Sequence, residues 1–349
     1  MNLNLDYSPI LAHEKKRKRR NIAILVIFGL LLVLTFVISM NIGFIRLSPT
    51  ELFTTLIGEG TRKQSLILFD FRLPRIVLSM LAGAGLAISG AILQGISRNA
   101  LADPGILGIN AGAGLAVLLF ICFYPSAAAA PVFLLPVLAL AGAGGTAMLI
   151  YTLAFKRNEG LSPTRLLLSG IAVAAGISAA TIVLTLRISP EKYQFVATWM
   201  AGSIWGTTWK FVIALLPWIV ILSIYVFCKA RVLDVLNLGD QLALGLGAPV
   251  ERERFLLLAS AVGLAGSCVA VSGGIGFVGL IAPHLARRLV GPGHKVLLPA
   301  AALAGALLVC AADTLGRWVL QPSEMPAGIV VAVIGAPYFL YLLARSKTE

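Results

Sequence analysis

"FLLLASAVGLAGSCVAVSGGIGFVGLIAPHLA", residues 255–286, decides the fold. These 32 residues hold no Asp, Glu, Lys or Arg. That is too long for one helical crossing of a bilayer core of about 30 Å, and too short for two crossings of about 20 residues each. Gly273, Gly274, Gly276 and Gly279 punctuate its middle. The pattern predicts a full helix ending near Ser272, a glycine-rich extended piece, and a short helix from about Leu280 to Leu289. Non-helical backbone at that depth requires cover by protein or a water-filled cavity, and broken helices of this kind line transport routes.

The rest of the chain fits such a setting. Of its 349 residues 58% are hydrophobic and 12% charged, with a mean hydropathy of +0.93. Soluble domains average about 45–50% apolar and about 25% charged. The composition therefore predicts a polytopic membrane protein, and runs of about 20 apolar residues make it an all-α bundle. The formal charge of +13 is concentrated in one dense run, Lys15-Lys16-Arg17-Lys18-Arg19-Arg20, directly before the first apolar span. That is where a positive-inside anchor belongs, and such a run can also touch anionic lipid. Nucleic-acid binding would need an aromatic or groove-reading module beside it, and none is present. The span from Ile22 to Ile42 is long enough to cross and no small-residue cleavage site follows it, so it reads as an anchor rather than a cleaved signal peptide. Cys122, Cys228, Cys268 and Cys310 lie in or at the ends of apolar runs with no C-x-x-C pair, and read as small hydrophobes.

Ten spans follow, near 22–42, 73–96, 105–124, 131–155, 165–186, 209–228, 255–272, 280–289, 296–316 and 327–344. An even number puts both termini on one side. With the hexabasic run inside, the cytoplasmic segments hold that run, Arg98, Lys156, Arg157, Arg165, Lys229, Arg231, Arg252, Arg254, Arg287, Arg288, Lys295, Arg345 and Lys347. That is 19 of the 28 basic residues; Arg46, Arg62, Lys63, Arg72, Arg75, Arg187, Lys192, Lys210 and Arg317 fall outside. The bias obeys the positive-inside rule, and omitting one span would spoil it. Residues 1–20 read as a basic cytoplasmic tail and 21–349 as a single ten-helix domain. Stretches such as "LAGAGLAISGA" (81–91) and "ALAGAGGTA" (139–147) supply the small residues that let helices approach closely in lipid.

Energy-coupling chemistry is missing. No Gly-Lys dipeptide occurs, so there is no phosphate-binding loop. The three histidines, His13, His284 and His294, have neither triad nor zinc spacing, and no metal or cofactor site is expected. Acidic residues well inside spans, the usual equipment of an ion-coupled carrier, are few, with Asp313 the nearest candidate. The chain reads either as a passive pore or as a subunit driven by a partner, and not as an enzyme. The segment "ARVLDVLNLGDQLALGLGAPVERER" (230–254) favours the partner. It is long for a connection, its apolar positions Val232, Leu236, Leu242, Leu244 and Leu246 alternate with polar ones, and Gly239, Gly245 and Gly247 can split it into two short helices. Such a ridge can seat in a groove of a soluble protein or lie on the membrane surface.

Five stretches carry a family resemblance: "RLPRIVLSMLAGAGLAISGAILQGISRNALADPGILGINAGAG" (72–114), "LGDQLALGLGAPVERER" (238–254), "GGIGFVGLIAPHLARRLVG" (273–291), "HKVLLPAAALAGALLVCAADTLGR" (294–317) and "EMPAGIVVAVIGAPYFLYLL" (324–343). In order, from about residue 50 to the end, they resemble the iron-siderophore and vitamin B12 permease family, the membrane subunits of type II ABC importers. The resemblance implies ten helices per subunit, a second permease subunit (identical or paralogous), two ATPase subunits below, and an extracellular or periplasmic binding protein above. It implies a location in the bacterial plasma (inner) membrane. It also implies a ferric siderophore as substrate, with vitamin B12 or haem as alternatives. A self-sufficient secondary carrier or channel, or a non-transporting scaffold, are the rivals from other classes.

Carried over residue by residue, the resemblance makes Asn99 and Leu101 cytoplasmic gate residues, with Ser162 and Thr164 in "LSPTRLLLSG" as the facing part. Two positions depart from the family pattern: Ala100 stands where proline usually follows the asparagine, and Pro163 falls between the second pair. Segment 238–254 matches the coupling helices, with Gly245, Leu246, Gly247 and Ala248 as the core contact and Asp240 and Glu251 flanking it. Arg72, Arg75 and Arg317 resemble the outward arginines that receive carboxylates of the binding protein, a pairing that bidentate geometry would orient.

Overall fold

A computed structural model describes residues 8–43, 48–105, 107–124, 133–156, 160–321 and 323–346. Residues 1–7 of the expected tail, Arg46, Arg157, Lys347 and the first two residues of the 131–155 span lie outside them. The helices are α1 (Ser8–Asn41), α2 (Pro49–Leu56), α3 (Arg62–Ser65), α4 (Leu73–Ser97), α5 (Ile109–Phe123), α6 (Leu134–Ala154), α7 (Pro163–Thr185), α8 (Pro190–Met200), α9 (Trp209–Cys228), α10 (Ala230–Asn237), α11 (Asp240–Gly245), α12 (Val250–Ser272), α13 (Val278–Val290), α14 (His294–Val319) and α15 (Ala327–Ser346). A π-helical stretch, Leu66–Arg72, joins α3 to α4. Among the described residues the regular structure is helical except for one small ladder, β1 (Phe155–Lys156) antiparallel to β2 (Gly160–Leu161).

Seven helices among the described residues are long and apolar enough to cross a membrane, and two apolar helices, Ile109–Phe123 and Ala327–Tyr341, are shorter. Residues 8–20 form the first turns of α1. α4 starts at Leu73, where the second span is expected, and the helical run reaches back from it through the π-helical turn to Arg62. Residues 250–254, at the end of the expected insertion, form the start of α12. The break in 255–286 falls where glycine demands it. α12 ends at Ser272, Gly273 turns the chain with φ 68°, and α13 starts at Val278.

α4 is the axis of the bundle. Every residue from Gly85 to Ile96 is buried, and α14, α12 and α13 pack around it. Lipid supplies no hydrophobic drive between helices, so such packing depends on close backbone approach. A Cβ on Gly83 would lie 2.2 Å from the Gly305 carbonyl oxygen, and one on Gly305 would lie 2.3 Å from that of Gly83. α5 and α6 meet in the same way at Gly112 and Gly142.

Candidate functional site

Two interruptions of regular helix meet inside the bundle. The first is the segment after α4. Arg98 stops the helix in the left-handed region (φ 52°), and the chain then folds back rather than turning at the surface. Pro104 and Asp103 reach Gly279, where an added Cβ would lie 2.6 Å from Pro104 Cδ and 3.1 Å from the Leu86 carbonyl oxygen. Leu86 lies three turns back along α4, so the segment re-enters by about 15 Å at 1.5 Å per residue. The second interruption is the 273–277 break, which ends on Phe277 at φ 65°. Arg98 and Phe277 are the only non-glycine residues with positive φ among those described. A left-handed bulky residue costs about 1–3 kcal/mol, and such residues collect at functional sites. Covered polar backbone resolves the apparent conflict between "SRNALADPG" and lipid: Ala102, Asp103 and Pro104 are buried in protein, and the Asp103 carboxylate accepts the Gly105 N–H at 2.7 Å.

The gate residues divide between two neighbourhoods. The Asn99 side-chain oxygen accepts the Leu101 N–H at 2.9 Å, closing a tight turn, and Leu101 packs against Leu280 and Ile281. Ser162 and Thr164, at the start of α7, instead line a cavity of about 540 Å³ with Arg98 and Asp240. Ser97 and Arg98, the two residues before Asn99, line the same cavity. Pro163 is the first residue of α7, where its missing N–H costs nothing.

The 230–249 stretch forms two short helices, split at Leu238-Gly239 with φ 108° at Gly239. Leu238, Leu242, Leu244 and Leu246 are 58–66% exposed. Gly245 and Gly247 face open space. Ala248 turns inward onto the core. Asp240 and Glu251 do not face outward as free acids. Asp240 takes Arg254 Nη2 at 2.7 Å and Arg98 Nη2 at 3.3 Å, while Glu251 takes Arg254 Nη1 at 3.4 Å and the Leu161 N–H at 3.3 Å. The sequence reading missed Arg254, whose side chain is 2% exposed and also donates to the Leu161 carbonyl at 2.9 Å. The signal was present: Val250, Arg254, Leu257, Leu258 and Ala261 are buried at helical spacing, so the apolar stripe of α12 continues through the charges. Nearby, Glu253 sits 2.7 Å from Lys229 Nζ and pushes the lysine's pKa up by hydrogen bonding and attraction.

At the opposite end of the bundle the three arginines are drawn inward. Arg72 is buried and donates to the Met40 carbonyl. Arg317, also buried, reaches the Ser39 and Ile42 carbonyls and Asp313. Arg75 grips Asp313 with two nitrogens, at 2.8 and 2.9 Å, and Glu324 with a third at 2.5 Å. Within this chain the three are held by internal partners, Arg75 and Arg317 on Asp313 and Arg72 on the Met40 carbonyl, so that fixed carboxylates and carbonyls satisfy guanidinium groups that burial would otherwise penalise. Only Glu324, with its side chain 34% exposed, opens to solvent. Beside it is a cavity of about 310 Å³ touching Arg75, Ser203 and Trp205, and a neighbouring one of about 540 Å³ lined by Phe195, Trp199, Trp205 and Phe211 with Glu191 and Gln194. No group of three or more metal-ligating side chains occurs among the described residues.

A glycine-locked helical bundle with a mid-bundle break and an exposed apolar insertion is the architecture of an ABC-importer permease subunit, and the chain belongs to the FecCD transport family, whose model matches residues 31–345. It is 51% identical over 337 residues to the iron(3+)-hydroxamate import system permease protein FhuG of Bacillus subtilis, covering 95% of this chain and all of that one. It is 48% identical to the Fe(3+)-citrate import system permease protein YfmE of the same organism, over 94% of this chain and 96% of that one. It is 38% identical to the hemin transport system permease protein HmuU of Yersinia pestis, over 93% and 97%. A solved metal-chelate type ABC transporter in an inward-facing conformation superposes with a TM-score of 0.80 at 32% identity, over 93% of this chain and 99% of that one. The chain is a multi-pass protein of the bacterial plasma membrane.

Proposed function

We propose that this chain is the membrane-spanning subunit of an importer for a ferric siderophore, crossing ten times with both termini in the cytoplasm. The two shorter apolar helices, α5 and the 327–341 part of α15, together with the short α13, would complete the seven long ones. At about 20–22 Å each, α5 and α13 are shorter than the core, and the re-entrant 98–108 segment makes up the missing depth. Two copies, or this chain and a paralogue, would enclose the path. ATP would be bound and split by two partner ATPase subunits, and a binding protein would deliver the chelate from outside. The basic run at 15–20 would hold the inner face against anionic lipid.

The observation that carries this reading is the quartet of exposed leucines on 238–246. An apolar ridge of this kind, beyond the spans and rimmed by polar residues, marks an interaction site. Gly245, Leu246 and Gly247 form its open edge, while Asp240, Ala248 and Glu251 fasten it to the bundle. In a two-subunit path, Asn99, Leu101, Ser162 and Thr164 would form the cytoplasmic gate, beside the cavity that Ser162 and Thr164 line with Arg98. Of the outer arginines, Arg75 is the contact for a carboxylate of the binding protein, because its partner Glu324 is exchangeable; Arg72 and Arg317 support it from within. The relatives' names favour a ferric hydroxamate over citrate or hemin chelates as the first substrate to try.

The test is reconstitution. Vesicles carrying the permease, its ATPase and the binding protein are expected to accumulate iron from a ferric hydroxamate only when ATP is supplied on the ATPase side. Uptake by this chain without the ATPase would overturn the proposal and favour a self-sufficient carrier.

A further inference from the structure

We infer that Arg254 is a positioning residue that locks the coupling helix α11 to the start of α7, so that both move as one piece when the ATPase pulls. This rests on the reading of α11 as the ATPase contact. The geometry is a cluster of four charges around the backbone of one residue: Arg254, Glu251 and Leu161 close a ring, and Asp240 and Arg98 extend it. One Arg254 nitrogen holds Asp240, at the first turn of α11. Its other terminal nitrogen holds the Leu161 carbonyl and approaches Glu251. Glu251 in turn receives the Leu161 N–H. Both hydrogen-bonding groups of Leu161, the residue just before Ser162, are therefore captured by the first turn of α12. Arg98 joins the ring through Asp240, which ties the end of α4 to the same point.

Three features separate this ring from an incidental surface pair. Arg254 is almost fully buried whereas its acidic partners are 41% and 52% exposed, so the arginine is the hub and the acids are spokes. The charges balance, two basic against two acidic, which lets the hub persist away from water. The guanidinium fork also reaches two elements at once, which a single ammonium cannot do with the same geometry. Gly160 is part of the fit: a Cβ there would lie 2.3 Å from the Glu251 carboxylate. Losing Arg254 leaves both acids free to rehydrate, so the variant folds; what it loses is the rigid link.

The test uses the assembled complex with Arg254→Gln and Arg254→Lys. The first readout is ATP consumed per iron moved from a ferric hydroxamate. R254Q is expected to raise this ratio by at least about tenfold, in the range of a coupling free energy between sites, with R254K falling between R254Q and the parent. The second is the distance between spin labels on unnatural side chains at positions 168 and 241, exposed on α7 and α11 and outside the gate and the leucine ridge. It is expected to stay constant in the parent with and without trapped nucleotide, and to broaden in R254Q. An unchanged ratio in R254Q, or a parent distance that shifts by about one helical turn, ~5 Å, overturns the inference. If the parent complex moves no iron at all on ATP, the proposed function fails, and the label distances alone still decide the role of Arg254.

Discussion

Gly90→Ala probes the meeting of the two interruptions most directly. The added Cβ would stand 1.9 Å from the Gly279 carbonyl oxygen and 2.4 Å from its Cα, where real Cβ contacts below 3.0 Å essentially never occur. α4 and the start of α13 would have to part by about 1 Å, and because the obstacle is backbone no rotamer change relieves it. Overpacking of this kind costs about 1–3 kcal/mol, and the upper end applies here. The same displacement lengthens the hydrogen bonds from Gln94 Nε2 to the Gly279 and Leu280 carbonyls, already at 3.2 and 3.4 Å, for about 1 kcal/mol more. Alanine regains about 0.5–1 kcal/mol of helix preference, leaving a net loss of about 3 kcal/mol. The control is Gly145→Ala on α6, where nothing lies within 4 Å of the new atom, so that only the helix preference remains. Thermal unfolding of the purified permease in detergent, followed by tryptophan fluorescence, should place G90A about 5 °C or more below the parent and G145A at or above it. A G90A midpoint equal to that of G145A would refute the close approach of α4 to the break.

Three further outcomes follow from the same contacts. Asp313→Ala leaves Arg75 and Arg317 buried without their shared carboxylate, so a stability loss of about 3–5 kcal/mol is expected in the same unfolding assay. Removing residues 240–248 should leave membrane insertion intact and abolish co-purification of the ATPase, and Leu242→Ser with Leu246→Ser should weaken it without lowering the unfolding midpoint. Arg75→Glu should weaken docking of the binding protein, with the effect largest at low salt and shrinking as ions screen it; equal affinity of parent and variant at low salt would remove Arg75 from that interface.

How much could be read from the chain alone varied with the kind of physics involved. The α12 break was legible because length and glycine placement act locally: no helix of 32 residues fits the bilayer, and four glycines mark where it must yield. The two-helix insertion was legible for the same reason at Gly239. Long-range packing was not. Nothing within "SRNALADPG", read as part of a cytoplasmic gate, reveals that Gly279 leaves room for Pro104 to enter the bundle. Arg72, Arg75 and Arg317 read as displayed charges because nothing local reveals that Asp313 faces inward to meet Arg75 and Arg317, or that the Met40 carbonyl takes Arg72. In "ERER", Arg252 and Arg254 look equivalent, and only the stripe of α12 separates the exposed one from the buried one.

The jammed centre of the bundle has a mechanical meaning. Where α4 touches α14 and the start of α13, carbonyl meets Cα with no side chain between to compress or rotate, so those helices cannot slide past one another by small steps. Compliance is left to the rim, where α7 and α9 present most of their length to the surroundings. A subunit so built is a stiff lever with a soft edge: in the proposed two-subunit path, opening would come from tilting the whole subunit against its neighbour, with the hinge between chains rather than within one.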